Sequence, residues 1–122
     1  MSDINNYTNI EFAGKNYEVA MTLEVIDRFQ DKFNCDFFEL EEMLKDTRKL
    51  YKIVRYLLFI MINDSIRRNN KKNGTSEPLF EEWEIGDKLD FDEVIRLVRS
   101  IKEAFYNSLP EDDGTEVEED TP

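Results

Sequence analysis

The chain has 122 residues, the size of one domain, with 40% hydrophobic and 36% charged residues and a net charge of −12. It has no histidine and one cysteine, Cys35. That excludes Ser-His-Asp and Cys-His catalysis, His-ligated metals and an internal disulfide. The acidity argues against nucleic acid and anionic membrane as partners, because phosphate binding needs a basic footprint.

Residues 1–8 are polar and read as a flexible start. A single folded domain over 9–109 follows, then a disordered acidic tail over 110–122. Within the domain, residues 9–20 alternate as a hairpin. A two-residue loop at Gly14-Lys15 fits a type II′ turn and sets Phe12 opposite Tyr17 and Ile10 opposite Val19. Glu11 and Glu18 fall on the other face. An isolated hairpin is marginal, so its apolar face is expected on helices.

Thr22 caps a predicted helix over 22–33, with Leu23, Ile26, Phe29 and Phe33 as its stripe. Asn34-Cys35 breaks it, and Asp36 and Glu39 form an acidic capping box for a short helix over 37–45. The longest helix is expected over 47–70. Its unbroken apolar run, Tyr56 to Ile62, covers every side of about two turns and marks the buried centre of the fold. The stretch Asn69 to Ser76 reads as a loop. Ser76 then caps a helix over 77–85, with Pro78 in its first turn, Gly86 past its end, and Leu79, Phe80 and Trp83 buried. Asp90 and Glu93 form a further capping box for a last helix over 91–109, with Phe91, Val94, Leu97, Val98, Ile101 and Phe105 on one face. The fold class is therefore α+β, mostly α, with an N-terminal hairpin packed on about five helices.

Carboxylates are the only abundant reactive groups. Eight lie between Glu77 and Glu93, but Asp87, Asp90 and Asp92 do not fit a calcium loop. A solvated helix edge with caps accounts for them. No metal, cofactor, small-molecule substrate or catalytic residue is indicated, and an enzyme is not expected. Cys35 precedes a cap, but no base is at hand and Asp36 opposes a thiolate, so a structural cysteine is expected. Half of the 16 bases lie between Arg48 and Lys72, and residues 111–122 hold seven acids and no base. Solvated cations near a helix C-terminus explain the first cluster. A tail folded back on the basic helix, or an opposite patch on a partner, is the sharper reading. No apolar leader opens the chain, so the three sequons at Asn6, Asn63 and Asn73 carry no weight and a reducing cytoplasm is expected.

The stretch Ile10 to Leu44 combines a strand, the turn Gly14-Lys15-Asn16-Tyr17-Glu18, a helix, a break and a short helix. This order resembles the small tail assembly chaperones of long-tailed (siphovirus-type) bacteriophages and prophages of Gram-positive bacteria. Those proteins begin with a strand, a Gly-Lys-x-Tyr-Glu turn and a helix ending before a break. Asn34-Cys35 departs from the Thr-Gly pair that relatives often carry there. The resemblance covers about the first third of the chain and describes no active site.

The resemblance implies a binding role in the host bacterial cytoplasm. The partners would be the tape measure protein, which is kept soluble, and the tail tube protein, which is recruited around it. The chaperone would leave before the tail is finished. Contacts between copies along the client would suit a homo-oligomer. A translational frameshift near the end of the gene, common in relatives, would suit the stretch after Leu109. The aromatic residues available for such a client are Phe38, Tyr51, Phe59 and Trp83. Phe37 and Phe38 are neighbours, so one of the two is expected to face outward. An alternative from the net charge is an acidic mimic of nucleic acid that inhibits a host DNA-processing enzyme.

Overall fold

A computed structural model describes residues 7–109. The chain runs through β1 (Thr8–Phe12), β2 (Lys15–Val19), α1 (Leu23–Phe33), a 3-10 turn (Phe37–Glu39), α2 (Leu40–Met43), α3 (Thr47–Asn73), α4 (Glu82–Asp87) and α5 (Phe91–Ser108). The expected hairpin on a helical bundle is what forms. The expected tail over 110–122, and all but the last two residues of the expected flexible start, lie outside the described residues. Thr8, placed in that start, instead opens β1 and is buried. Its hydroxyl accepts from Asn107 Nδ2 at 2.9 Å.

The hairpin closes one residue earlier than expected. Thr8 pairs with Val19, Ile10 with Tyr17 and Phe12 with Lys15. The loop is Ala13-Gly14, with φ of 53° and 77°, as a type I′ turn requires. The expected register would have set Glu11 directly opposite Glu18, and facing like charges destabilise a ladder. The observed register gives each glutamate an asparagine partner, Asn16 and Asn9. Pairing slips by two residues, so every side chain keeps its face. Ile10, Phe12, Tyr17 and Val19 are all buried.

Ala13 is the strained position, since a Cβ in the left-handed region costs about 1–2 kcal/mol. Ala13→Asn, which creates the preferred Asn-Gly loop, is expected to stabilise the chain by about 1 kcal/mol in urea unfolding. No gain, or a loss, would contradict this turn.

The caps form as the local sequence dictates. Thr22 Oγ1 accepts from Val25 N at 3.2 Å. Asn34 ends α1 in the left-handed conformation, with its N–H bonded to Gln30 O. Asp36 and Glu39 make both arms of their box. That box opens a 3-10 turn and one turn of α2, where a single short helix was expected. At α5, Asp90 Oδ1 accepts from Glu93 N at 2.8 Å. The return arm is absent there, because the Glu93 carboxylate pairs with Arg96 instead.

α3 runs on to Asn73, through five of the eight residues of the expected loop. Polarity alone does not stop a helix; Gly74 does, at φ 67°. Leu57, Leu58, Ile60, Met61 and Ile62 are buried at the centre of the fold. The hairpin, α1, α4 and α5 all pack against this helix.

Two asparagines on α3 then tie down the returning chain. Asn63 Nδ2 donates to Phe80 O and its Oδ1 accepts from Phe80 N, both at 2.8 Å. Asn70 Oδ1 accepts from Glu77 N at 2.9 Å and from the Thr75 hydroxyl, while Nδ2 donates to Glu77 O. These straps hold 75–80 outside any helix. Consequently α4 begins at Glu82 and not at 77, Ser76 caps nothing, and Gly86 lies inside the helix. Ile85, not Leu79 or Trp83, is the buried residue of α4. Phe80 packs edge-on against Phe12 and Tyr17, with centroids 5.9 and 6.5 Å away.

Two residues assigned to core stripes are exposed: Leu23 at 84% and Phe91 at 75%. Both are the first residue after a helix cap. A helical Cβ tilts toward the N-terminus, so such a side chain projects past the start of its helix. Val25 and Phe29 carry the core face of α1. Val94, Leu97, Ile101, Ala104 and Phe105 carry that of α5, with Val98 at its margin.

Candidate functional site

α4 crosses α3 over Tyr51 and Arg55, and Gly86 lets it come close. A Cβ at Gly86 would sit 2.7 Å from Tyr51 Oη and 3.0 Å from Arg55 Cδ. Arg55 links the two helices. Its Nε lies 3.1 Å from Glu82 Oε2, and its guanidinium stacks over the Tyr51 ring at 4.9 Å. Both members of the ion pair are partly covered, so it contributes on the order of 1 kcal/mol. Its larger effect is to fix the Tyr51 ring in place.

Beside this contact, Lys32 of α1 reaches over the Tyr56 ring at 5.3 Å. Tyr56 packs edge-on against Phe33 at 5.7 Å and tilts against Phe59 at 6.0 Å. Burial pushes the Tyr56 hydroxyl up, so it stays neutral at physiological pH. Between these elements runs a shallow groove of about 620 Å³, lined by Lys32, Tyr51, Arg55, Glu82 and Trp83. Trp83 is 68% exposed and Tyr51 40%. The groove thus offers the Tyr51 ring, held by Arg55, and the exposed Trp83 ring, with charges of both signs at its rim. Such a surface suits a protein segment better than a small molecule, which needs a deep cavity.

The four sequence-derived contact residues do not form one cluster. Tyr51 and Trp83 meet in the groove. Phe59 is partly buried against the core and supports Tyr56. Phe38 is 66% exposed but belongs elsewhere, with its ring on Phe37, which packs on Phe29 and Phe105. The adjacent pair does split as expected, Phe37 inward and Phe38 outward. Lys32 and Arg55 were missed as groove residues. For Arg55 the signal was Tyr51 one turn earlier on the same helix; Lys32 had none, because cation–π pairing across α1 and α3 is not readable from one sequence.

No family model, curated protein or solved structure matches this chain.

The carboxylates between Glu77 and Glu93 are largely engaged. Glu77 pairs with Lys15 at 3.0 Å, Glu82 with Arg55, and Glu93 with Arg96. Glu84 accepts from Glu81 N at 2.7 Å, and Asp90 caps α5. Among the described residues, no group of three or more Cys, Asp or Glu is arranged to hold a metal ion. No helix among them is long and apolar enough to cross a membrane.

Cys35 is partly buried, and its Sγ lies 3.5 Å from Met43 Sδ. Burial pushes the thiol up, and Glu39 and Asp36 add to this while Lys49 opposes them. Its reaction with a disulfide reagent at pH 7 is therefore expected to be slower than that of cysteine in an unfolded peptide. A rate equal to or above that of the peptide would contradict this placement.

Proposed function

We propose that this chain is a tail assembly chaperone of long-tailed bacteriophages or prophages of Gram-positive bacteria. It works in the host cytoplasm as a binding protein, without catalysis. Its client is the tape measure protein, which it keeps soluble while tail tube subunits are recruited, and it is absent from the mature tail. The observation that carries this reading is the groove of Tyr51, Arg55 and Trp83 between α1, α3 and α4. A long helical client presents apolar stripes edged by charge, and exposed aromatic faces with a mixed-charge rim are complementary to them. The order of hairpin, α1, break and short α2 supports the same reading through the resemblance it bears. The net charge of −12 favours solubility of the complex. An acidic mimic would instead need a free, fixed carboxylate array, and many carboxylates of the described fold are taken up by caps and ion pairs.

Co-expression tests the proposal. The tape measure protein of the same phage is expected to move from the insoluble to the soluble fraction when this chain is present, and to co-purify with it. An equally insoluble tape measure protein with and without the chain would overturn the proposal.

A further inference from the structure

α5 carries two apolar faces. Val94, Leu97, Ile101, Ala104 and Phe105 fill the core. Phe91, Ile95 and Val98 lie about a quarter turn away around the helix. Phe91 is 75% exposed, Ile95 is 49% exposed, and Val98 is partly buried. With Lys102 they recur at spacings of four, three and four, within about 60° of one another. That is the seam spacing of a packed helix pair, not the scatter of single apolar side chains that any surface carries. The described fold leaves this seam open.

The charges beside the seam point to its occupant. Glu93 and Arg96 pair with each other, and Arg96 also donates to Glu11 O, so both are engaged within the chain. Asp92 and Arg99 are exposed and join no ion pair among the described residues. They stand about two turns apart on the same flank of the seam. A twofold axis between Ile95 and Val98 pairs this helix with its own copy, antiparallel. Ile95 then sits against Val98 of the second copy, and Phe91 against the aliphatic stem of its Lys102. The same axis brings Asp92 beside Arg99 of the second copy, and Arg99 beside its Asp92. The ion pair is thus made twice from charges that the single chain leaves unpaired. A parallel pair would instead set Lys102 on Lys102 in the seam, where like charges repel.

We propose that the face of Phe91, Ile95 and Val98 is a self-association surface, and that α5 of a second copy packs on it antiparallel. The seam is short, with three apolar side chains and one lysine stem from each copy. It therefore makes a weak, reversible pair, with a dissociation constant on the order of 10–100 µM. No residue of α5 lines the groove of Tyr51 and Trp83, so this inference stands whether or not the proposed client is correct.

Analytical ultracentrifugation of the full chain from about 5 to 500 µM tests it, a range that brackets such a pair. The average mass is expected to rise from that of one chain toward that of two. Ile95→Glu is expected to weaken association about tenfold or more, by placing a charge at the centre of the seam. Arg99→Glu, which faces Asp92 of the second copy with a like charge, is expected to weaken it about fivefold. Adding Asp92→Lys to Arg99→Glu restores opposite charges across the axis and is expected to recover most of the loss. All three positions are exposed, so the thermal transition of the dilute chain should stay close to that of the parent. Three results would overturn the proposal. They are a single-chain mass at every concentration, association indifferent to Ile95→Glu, or an Arg99→Glu loss that Asp92→Lys deepens instead of repairing.

Discussion

Asn63→Leu is expected to lower stability by about 2–4 kcal/mol in urea unfolding, because two backbone groups of Phe80 lose their partners at once. Asn63 is buried, and its amide pairs with Phe80 as a neighbouring strand would. Leucine fills a similar volume but satisfies neither group. Asn63→Asp is the informative companion. It keeps an acceptor for Phe80 N but turns a second oxygen toward Phe80 O. Protonated, the new carboxyl donates to that carbonyl; ionised, it repels it. Its pKa in the folded state is therefore raised above the unfolded value. The stability this variant retains should be fully present below the unfolded carboxyl pKa of about 4 and lost as pH rises through the folded value. A loss of less than about 0.5 kcal/mol for Asn63→Leu would show that the return segment does not depend on this strap.

Leu57→Ala is expected to cost about 3–5 kcal/mol, the range for a leucine removed from a fully packed site. Leu57 lies within the apolar run of α3, where the neighbouring elements surround the helix and leave little freedom to collapse into the void. Leu23→Ala is the matched control. Both are helical leucines in apolar stripes, yet Leu23 is 84% exposed. Its truncation is expected to change stability by no more than about 0.5 kcal/mol. Similar costs at the two sites would contradict the projection of the Leu23 side chain past the start of α1.

These contrasts mark where local sequence signals stop. Thr22, Asp36 and Asp90 were legible as caps because a cap bonds within three residues of itself. The centre of α3 was legible because an unbroken apolar run has no polar side to expose. The hairpin faces were legible from alternation, but the register was not. It turns on which residues face Glu11 and Glu18 across the ladder, not on glycine alone. The start of α4 was missed because Asn63 and Asn70 act on Phe80 and Glu77 from 17 and 7 residues away. In the sequence Asn63 is marked only by the sequon Asn63-Asp64-Ser65, which has no bearing on this strap. The candidate site was half legible. Trp83 and Tyr51 stood out as aromatics among charged neighbours, but their convergence depends on Gly86 bringing α4 against α3. Phe38 gave the same signal and lies outside that groove.

The most direct test is the affinity of the purified full chain for helical fragments of the tape measure protein, compared across single variants. Trp83→Ala is expected to weaken binding about 30-fold or more, the effect of losing a central aromatic contact, with an unchanged thermal transition. Phe38→Ala is expected to stay within about threefold of the parent chain. Undiminished affinity in Trp83→Ala, or a loss found only in Phe38→Ala, would contradict the groove between α1, α3 and α4 as the client-binding surface.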